Sequence, residues 1–213
     1  MNDKICISVC ERDFLKCLQL AAASPLIEVR LDLMKLNPEE IDILAMQSRE
    51  WIATCRPGNY TEYERTVLLS AAIRSGATYV DIEYESDEEY RQPIIDLAKR
   101  LHSKVIVSYH NFELTPDIDS LNNIIRNSFE MGADIVKLAV MPQSVADCAR
   151  IMSLYEAHRN IIAFAMGDMG KITRVAAPLL GGIFTYASVD EMHLAAPGQL
   201  SVSQLEVIYR MLE

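Results

Sequence analysis

The chain has 213 residues, half of them apolar and 23% charged, a balance that fits one soluble globular domain with a substantial core. A formal net charge of −10 argues against nucleic acid or an anionic membrane as a partner, although a local cluster of arginines can still hold an acidic small molecule. No apolar run reaches the ~18 residues of a membrane span, and Met1-Asn2-Asp3-Lys4 lacks the apolar core of a signal peptide, so a cytoplasmic protein is expected.

In chain order, β-rich runs are expected at 5–9, 26–31, 51–55, 79–83, 104–110, 134–140, 161–166 and 183–186. Segments of helical period lie between them, for example 87–101 and 117–131. Asn37-Pro38-Glu39-Glu40 reads as a helix start, with a cap, a proline and acids in the first turn, and Thr115-Pro116-Asp117 reads similarly. Gly76 and Gly132 each close a helix just before a strand. Eight strands alternating with helices indicate an α/β fold with a parallel sheet in a single domain, residues 1–213. A lean (β/α)8 TIM barrel is the first expectation and a doubly wound open sheet the runner-up. Polar residues end many different strands, whereas an open sheet gathers its site at one switch point. Cys6, Cys10, Cys17, Cys55 and Cys148 are odd in number and scattered, which suits neither a disulfide framework nor a zinc site.

Residues two apart share a strand face, so Glu28, Arg30 and Asp32 are expected to point one way while Ile27, Val29 and Leu31 point the other. Charges inside a barrel are costly unless paired or bound. An internal salt-bridge network therefore competes with a ligand site, and the two readings overlap. Asp81 and Glu83 share a face of the fourth strand. His110 ends the fifth strand beyond an apolar stem, a setting in which histidine titrates near neutrality. Lys137 is the sharpest feature, because it stands mid-strand in Asp134-Ile135-Val136-Lys137-Leu138-Ala139-Val140-Met141. Apolar surroundings penalise a charged ammonium, so a lysine placed there is a usable amine nucleophile. An amine that captures a ketone, beside a base that removes the adjacent proton, is the apparatus of imine chemistry. From the residues alone, a Schiff-base lyase or an aldolase is indicated. His102, His158 and His193 lack such contexts and read as surface or structural.

In order along the chain come Glu28-Val29-Arg30-Leu31-Asp32, Thr54-Cys55-Arg56-Pro57, Ser108-Tyr109-His110-Asn111-Phe112 and Val136-Lys137-Leu138-Ala139-Val140-Met141-Pro142. Met166, Ile172-Thr173-Arg174 and Ala196-Pro197-Gly198-Gln199 follow. Together these motifs resemble the type I 3-dehydroquinate dehydratases. The resemblance implies a TIM barrel that dehydrates 3-dehydroquinate to 3-dehydroshikimate in the shikimate pathway of aromatic amino-acid biosynthesis. It implies Lys137 as the Schiff-base lysine and His110 as the proton-transfer residue. It assigns Glu28, Arg30 and Arg56 to the substrate's hydroxyls, Arg174 to its carboxylate, Gln199 to a lid loop, Ser8 to a first-strand contact and Met166 to an apolar wall. No metal or organic cofactor is implied. The expected partner is the small-molecule substrate, with no nucleic acid and no membrane; a homodimer is compatible with the resemblance.

There are two departures. Many members carry a serine where Ala195 stands in Leu194-Ala195-Ala196-Pro197. Some also carry a glutamate soon after the third-strand arginine, where this chain has Arg56-Pro57-Gly58-Asn59-Tyr60-Thr61-Glu62, so Glu83 or Glu62 is expected to orient His110 instead. The rival readings are a sugar-phosphate aldolase, a metal-dependent barrel using Glu28, Asp81, Glu83 and His110, and a non-catalytic binding barrel. The acidic, glycine-free run Ser188-Val189-Asp190-Glu191-Met192-His193 argues against the first, because phosphate loops are usually glycine-rich. Lys137 and Arg30 would repel the cation of the second. Retention of His110 and Lys137 together speaks against the third.

Overall fold

Parallel strands buried on both faces read as near-continuous apolar runs, and Ile5–Val9, Ile135–Val140 and Ile161–Ala165 of this chain, buried at every position, are of that kind. A computed structural model describes residues 4–10, 13–58, 60–192 and 195–212. The elements run β1 (Ile5–Val9), α1 (Phe14–Ala23), β2 (Leu26–Arg30), α2 (Leu31–Met34), α3 (Pro38–Gln47), β3 (Glu50–Thr54), α4 (Glu62–Arg74), β4 (Tyr79–Glu83) and α5 (Glu88–Arg100). They continue with β5 (Lys104–Asn111), α6 (Ile118–Glu130), β6 (Ile135–Val140), α7 (Val145–Ala157), β7 (Ile161–Ala165), α8 (Gly167–Ala176), β8 (Thr185–Ser188), β9 (Leu200–Ser201) and α9 (Val202–Leu212). All eight expected strands are present within two residues of their expected ends. The short β9, which pairs parallel with β8, is an addition that two residues of sequence could not announce. His193, Leu194, Asn59 and the stretch 1–3, on which parts of the sequence reading fall, lie outside the described residues.

The helix starts follow local chemistry. Asn37 Oδ1 accepts from the Glu40 N–H at 3.0 Å while Glu40 Oε2 accepts from the Asn37 N–H at 2.9 Å, a reciprocal capping box with Pro38 at the first helical position. Thr61 and Glu64 repeat the device on α4. Asp117, rather than Thr115, caps α6 by accepting from the Ser120 N–H. Gly76 and Gly132 take φ +89° and +105° just beyond α4 and α6, conformations that cost a residue with a Cβ dearly.

The chain forms two compact units: residues 7–106, and residues 1–6 with 107–213, so the divide falls inside β1 and β5. In the first unit β1, β2, β3 and β4 are neighbours in that order, with parallel registers Ser8↔Glu28, Arg30↔Thr54 and Thr54↔Asp81. In the second, β5, β6 and β7 are consecutive neighbours and β8 pairs with β9. Core packing in this unit decides which way the strand side chains point. Val136, Leu138 and Val140 of β6 and Ile161 and Ala163 of β7 form one apolar cluster with Leu121 and Ile125 of α6 and Ile151, Leu154 and Tyr155 of α7. Strand alternation then puts Lys137 and Ala139, with Ile162 and Phe164, on the opposite face. Likewise Ala187 joins Ile5, Val175, Leu205 and Tyr209 in a second cluster, which turns Tyr186 and Ser188 the other way.

Candidate active site

In the first unit, carboxylates and guanidiniums share the polar face of β1–β4. Glu28 is buried and accepts from the hydroxyls of Ser8 at 2.9 Å and Thr54 at 3.1 Å. Arg30 grips Asp32 through two bonds, Nε to Oδ1 at 3.0 Å and Nη2 to Oδ2 at 2.7 Å. Pleat alternation does not make that pair. β2 ends at Arg30, and Leu31–Met34 winds into a short helix that swings Asp32 back over the arginine, which corrects the expectation that strand alternation puts Asp32 on the face of Glu28 and Arg30. Burial opposes the charge on Arg30, but the bond and field of Asp32 outweigh it and raise its pKa.

Arg56, just beyond β3, donates to both oxygens of Asp81 at 2.8 and 2.9 Å and to Glu83 Oε1 at 2.7 Å. Burial again works against this cation, while Asp81 and Glu83 hold it protonated, well above the ordinary arginine value. The other oxygen of Glu83 accepts from Arg65, whose Nε also donates to the Cys55 carbonyl at 2.9 Å. The Arg65 guanidinium lies over the ring of Tyr90, 4.6 Å from its centroid. Sequence reasoning missed Arg65. A signal was present, because residues 65, 69, 72 and 73 mark the buried stripe of α4, and an arginine on such a stripe calls for a partner. Glu62, the other carboxylate considered for orienting His110, is exposed in the first turn of α4. Burial raises the Cys10 thiol to about 11 and the Cys55 thiol to about 12, so neither is a ready nucleophile at neutral pH.

In the second unit, Lys137 sits at 5% exposure inside the fully buried β6, and its register partner on β7 is Ile162. Its Nζ lies 3.9 Å from the ring centroid of Tyr186 on β8. His110 is near the end of β5, half-buried, with its ring parallel to that of Phe112 at 6.2 Å. The strand end is tied down around it. Asn111 accepts from the N–H groups of Glu113 and Leu114, and its carbonyl accepts from the Met141 N–H at 2.8 Å.

Arg174 belongs to the last turn of α8, which is held close to β7. The Thr173 hydroxyl donates to the Gly170 carbonyl at 2.6 Å and accepts from the Ala165 N–H at 2.8 Å. A Cβ on Gly170 would stand 2.3 Å from the Ala165 carbonyl oxygen, so only glycine permits that approach. The Arg174 side chain is 1% exposed. It donates to the Pro197 carbonyl at 3.2 Å and its guanidinium lies 4.2 Å from the Phe164 centroid. Among the described residues no carboxylate reaches it, and its buried Nε has no hydrogen-bond partner. Desolvation pulls its pKa down from the ordinary arginine value to about 10. A buried cation in this state is costly, and a bound anion would offset that cost.

Met166 is 1% exposed and starts α8. Gln199 is buried, and its side-chain oxygen accepts from the Ala195 N–H at 2.8 Å, which closes the turn around Gly198. That turn rests on the start of α8, where the Gly167 N–H donates to the Pro197 carbonyl. Each unit therefore gathers its own share of the expected residues: Ser8, Glu28, Arg30, Arg56 and Glu83 in one, His110, Lys137, Met166, Arg174 and Gln199 in the other. Elsewhere His158 is hydrogen-bonded to Asn122 at 2.8 Å and His102 is exposed. No described helix is long and apolar enough to cross a membrane.

The sequence pattern of the family described as type I 3-dehydroquinase matches residues 5–213. A protein of Desulfotalea psychrophila named 3-dehydroquinate dehydratase is 35% identical over 97% of this chain and 96% of its own length. One of the same name from Methanothermobacter thermautotrophicus is 38% identical over 95% and 94%. The solved structure of 3-dehydroquinate dehydratase from Geobacillus kaustophilus matches 98% of this chain and 90% of its own at a TM-score of 0.86 and 28% identity. The fold class is therefore the expected (β/α)8 barrel.

Proposed function

Because the chain belongs to the type I 3-dehydroquinase family, we propose that it dehydrates 3-dehydroquinate to 3-dehydroshikimate through an imine on Lys137. The observation that carries this reading is the presence, within one unit, of a lysine buried in the apolar strand β6 and of a buried arginine, Arg174, that no described carboxylate reaches. A keto acid is the ligand such a pair suits. The planar carboxylate matches the guanidinium fork of Arg174, and the ketone is within the chemistry of an amine.

The steps balance without a cofactor. The Lys137 amine adds to the ketone carbon, and water leaves as the C=N bond forms. The protonated imine draws electrons, so His110 removes the proton from the adjacent carbon to give an enamine. The enamine pushes out the hydroxyl on the next carbon, which takes a proton from His110 and departs as water. Hydrolysis of the conjugated imine frees the product and restores the amine. Ser8, Glu28, Arg30 and Arg56 are assigned to the substrate's hydroxyls, Met166 to an apolar wall and Gln199 to the lid. Each oxygen of Glu83 serves one guanidinium and keeps a further lone pair, so its support of His110 remains part of the proposal. The metal-dependent reading is weaker, because Asp81 and Glu83 are already occupied by Arg56 and Arg65. The reading places the enzyme in the cytoplasm, in aromatic amino-acid biosynthesis.

Incubation with 3-dehydroquinate, followed by near-ultraviolet absorbance, tests the reaction; appearance of the conjugated product is expected. Borohydride added during turnover should yield one adduct by intact mass, located on Lys137. Turnover without an adduct, or an adduct elsewhere, would overturn the imine mechanism. An adduct formed with sugar-phosphate ketones in place of 3-dehydroquinate would favour the aldolase reading.

A further inference from the structure

Two buried cations of the second unit, Lys137 and Arg174, are both seated on aromatic rings. Lys137 Nζ is 3.9 Å from the Tyr186 centroid, and the Arg174 guanidinium is 4.2 Å from that of Phe164. The rings themselves meet edge to face, Phe164 with Tyr186 at 6.2 Å and 61°, and Phe184 with Tyr186 at 5.5 Å and 69°. Tyr186 is 3% exposed and Phe164 is 3% exposed, so water does not dilute either contact. Register and packing produce the arrangement. Phe164 is the Cα partner of Ala139, two residues along β6 from Lys137, and Tyr186 is on the β8 face opposite the Ala187 cluster.

A ring face carries partial negative charge and no proton-accepting lone pair pointing at the cation. It therefore stabilises a positive nitrogen without competing for its hydrogen-bonding positions. A carboxylate in the same place would lock the ammonium in an ion pair. From this geometry we infer that Tyr186 contributes directly to catalysis. Its ring face meets the Lys137 nitrogen, and after substrate capture that nitrogen is the protonated imine, whose positive charge the ring stabilises. The inference rests on the imine reading above. It assigns Tyr186 an electronic role, so the polarisability of the ring should matter as well as its bulk. The two flanking T-shaped contacts fix the ring plane, so Nζ meets a face and not an edge.

The test separates electronics from packing. Tyr186→Phe serves as the reference. Phenylalanine analogues bearing one, two and three ring fluorines at position 186 then drain the ring face with little change in volume. The readouts are the borohydride-trapped adduct formed with 3-dehydroquinate in a fixed exposure, kcat, and the thermal unfolding midpoint. Adduct and kcat should fall log-linearly with fluorine number, by about tenfold across the series, while the midpoint stays level. Tyr186→Leu should fall at least as far. A flat response across the fluorinated series, with loss only in Tyr186→Leu, would show that the ring merely fills space and would overturn the inference. If wild type turns over without any trapped adduct, the imine reading itself fails and takes this inference with it.

Discussion

Replacing Arg174 by methionine should make the protein more stable and a worse enzyme. The side chain is 1% exposed, and desolvation alone lowers its pKa from the ordinary arginine value to about 10. A fall of that size, at about 1.4 kcal/mol per pH unit, corresponds to about 3 kcal/mol by which burying the charged form weakens folding. The sign follows from proton counting. Between about pH 10 and the ordinary arginine value the unfolded chain holds a proton that the folded chain releases, so stability rises with pH there. Below about pH 10 the full penalty is present. Arg174→Met removes the penalty together with the hydrogen bond to Pro197 and the contact with Phe164, which offset about 2 kcal/mol of it. The net gain of about 1 kcal/mol should raise Tm by about 2–4 °C for a chain of this length. KM should rise by roughly 10–100-fold, because a charge-assisted pair with the substrate carboxylate contributes about 1.5–3 kcal/mol. Differential scanning calorimetry at pH 7 and steady-state kinetics on the same preparation check both halves. A variant with lowered Tm and unchanged KM would refute the reasoning, since Arg174 would then be a structural residue.

Lys137→Ala should lose both adduct formation and turnover, and Lys137→Arg should not rescue them, because a guanidinium stays protonated and cannot add to a ketone. His110→Ala should still form the adduct while turnover falls by about 10²–10⁴-fold, as read by trapping and rate on one sample. Glu83→Gln removes the charge shared by Arg56 and Arg65 and should lower stability by about 3 kcal/mol in urea unfolding, with the slope unchanged. Gly198 has φ +70°, and a Cβ there would stand 2.1 Å from the Gly167 carbonyl oxygen, so Gly198→Ala should lower Tm and kcat/KM together.

The local rules carried much of this structure. Period-2 and period-3.6 patterning placed eight parallel strands and their helices, and the capping box at Asn37 was readable from four residues. Lys137 could be singled out because an apolar strand has no routine use for an ammonium. Tertiary packing decided the rest. The pairing of Arg30 with Asp32 depends on the chain leaving β2 one residue early and winding into α2, an ending that strand propensity does not encode. The partner of Arg65 was set when α4 packed its stripe inward and delivered the guanidinium to Glu83. The seating of Lys137 on Tyr186 joins residues 49 apart in sequence, and the place of Arg174, with no carboxylate partner among the described residues, follows from how α8 lies on β7. Local sequence sets backbone conformation through neighbours a few residues away. The partner of a buried charge is chosen by whatever the packed chain brings within about 4 Å of it, and that depends on all the elements at once.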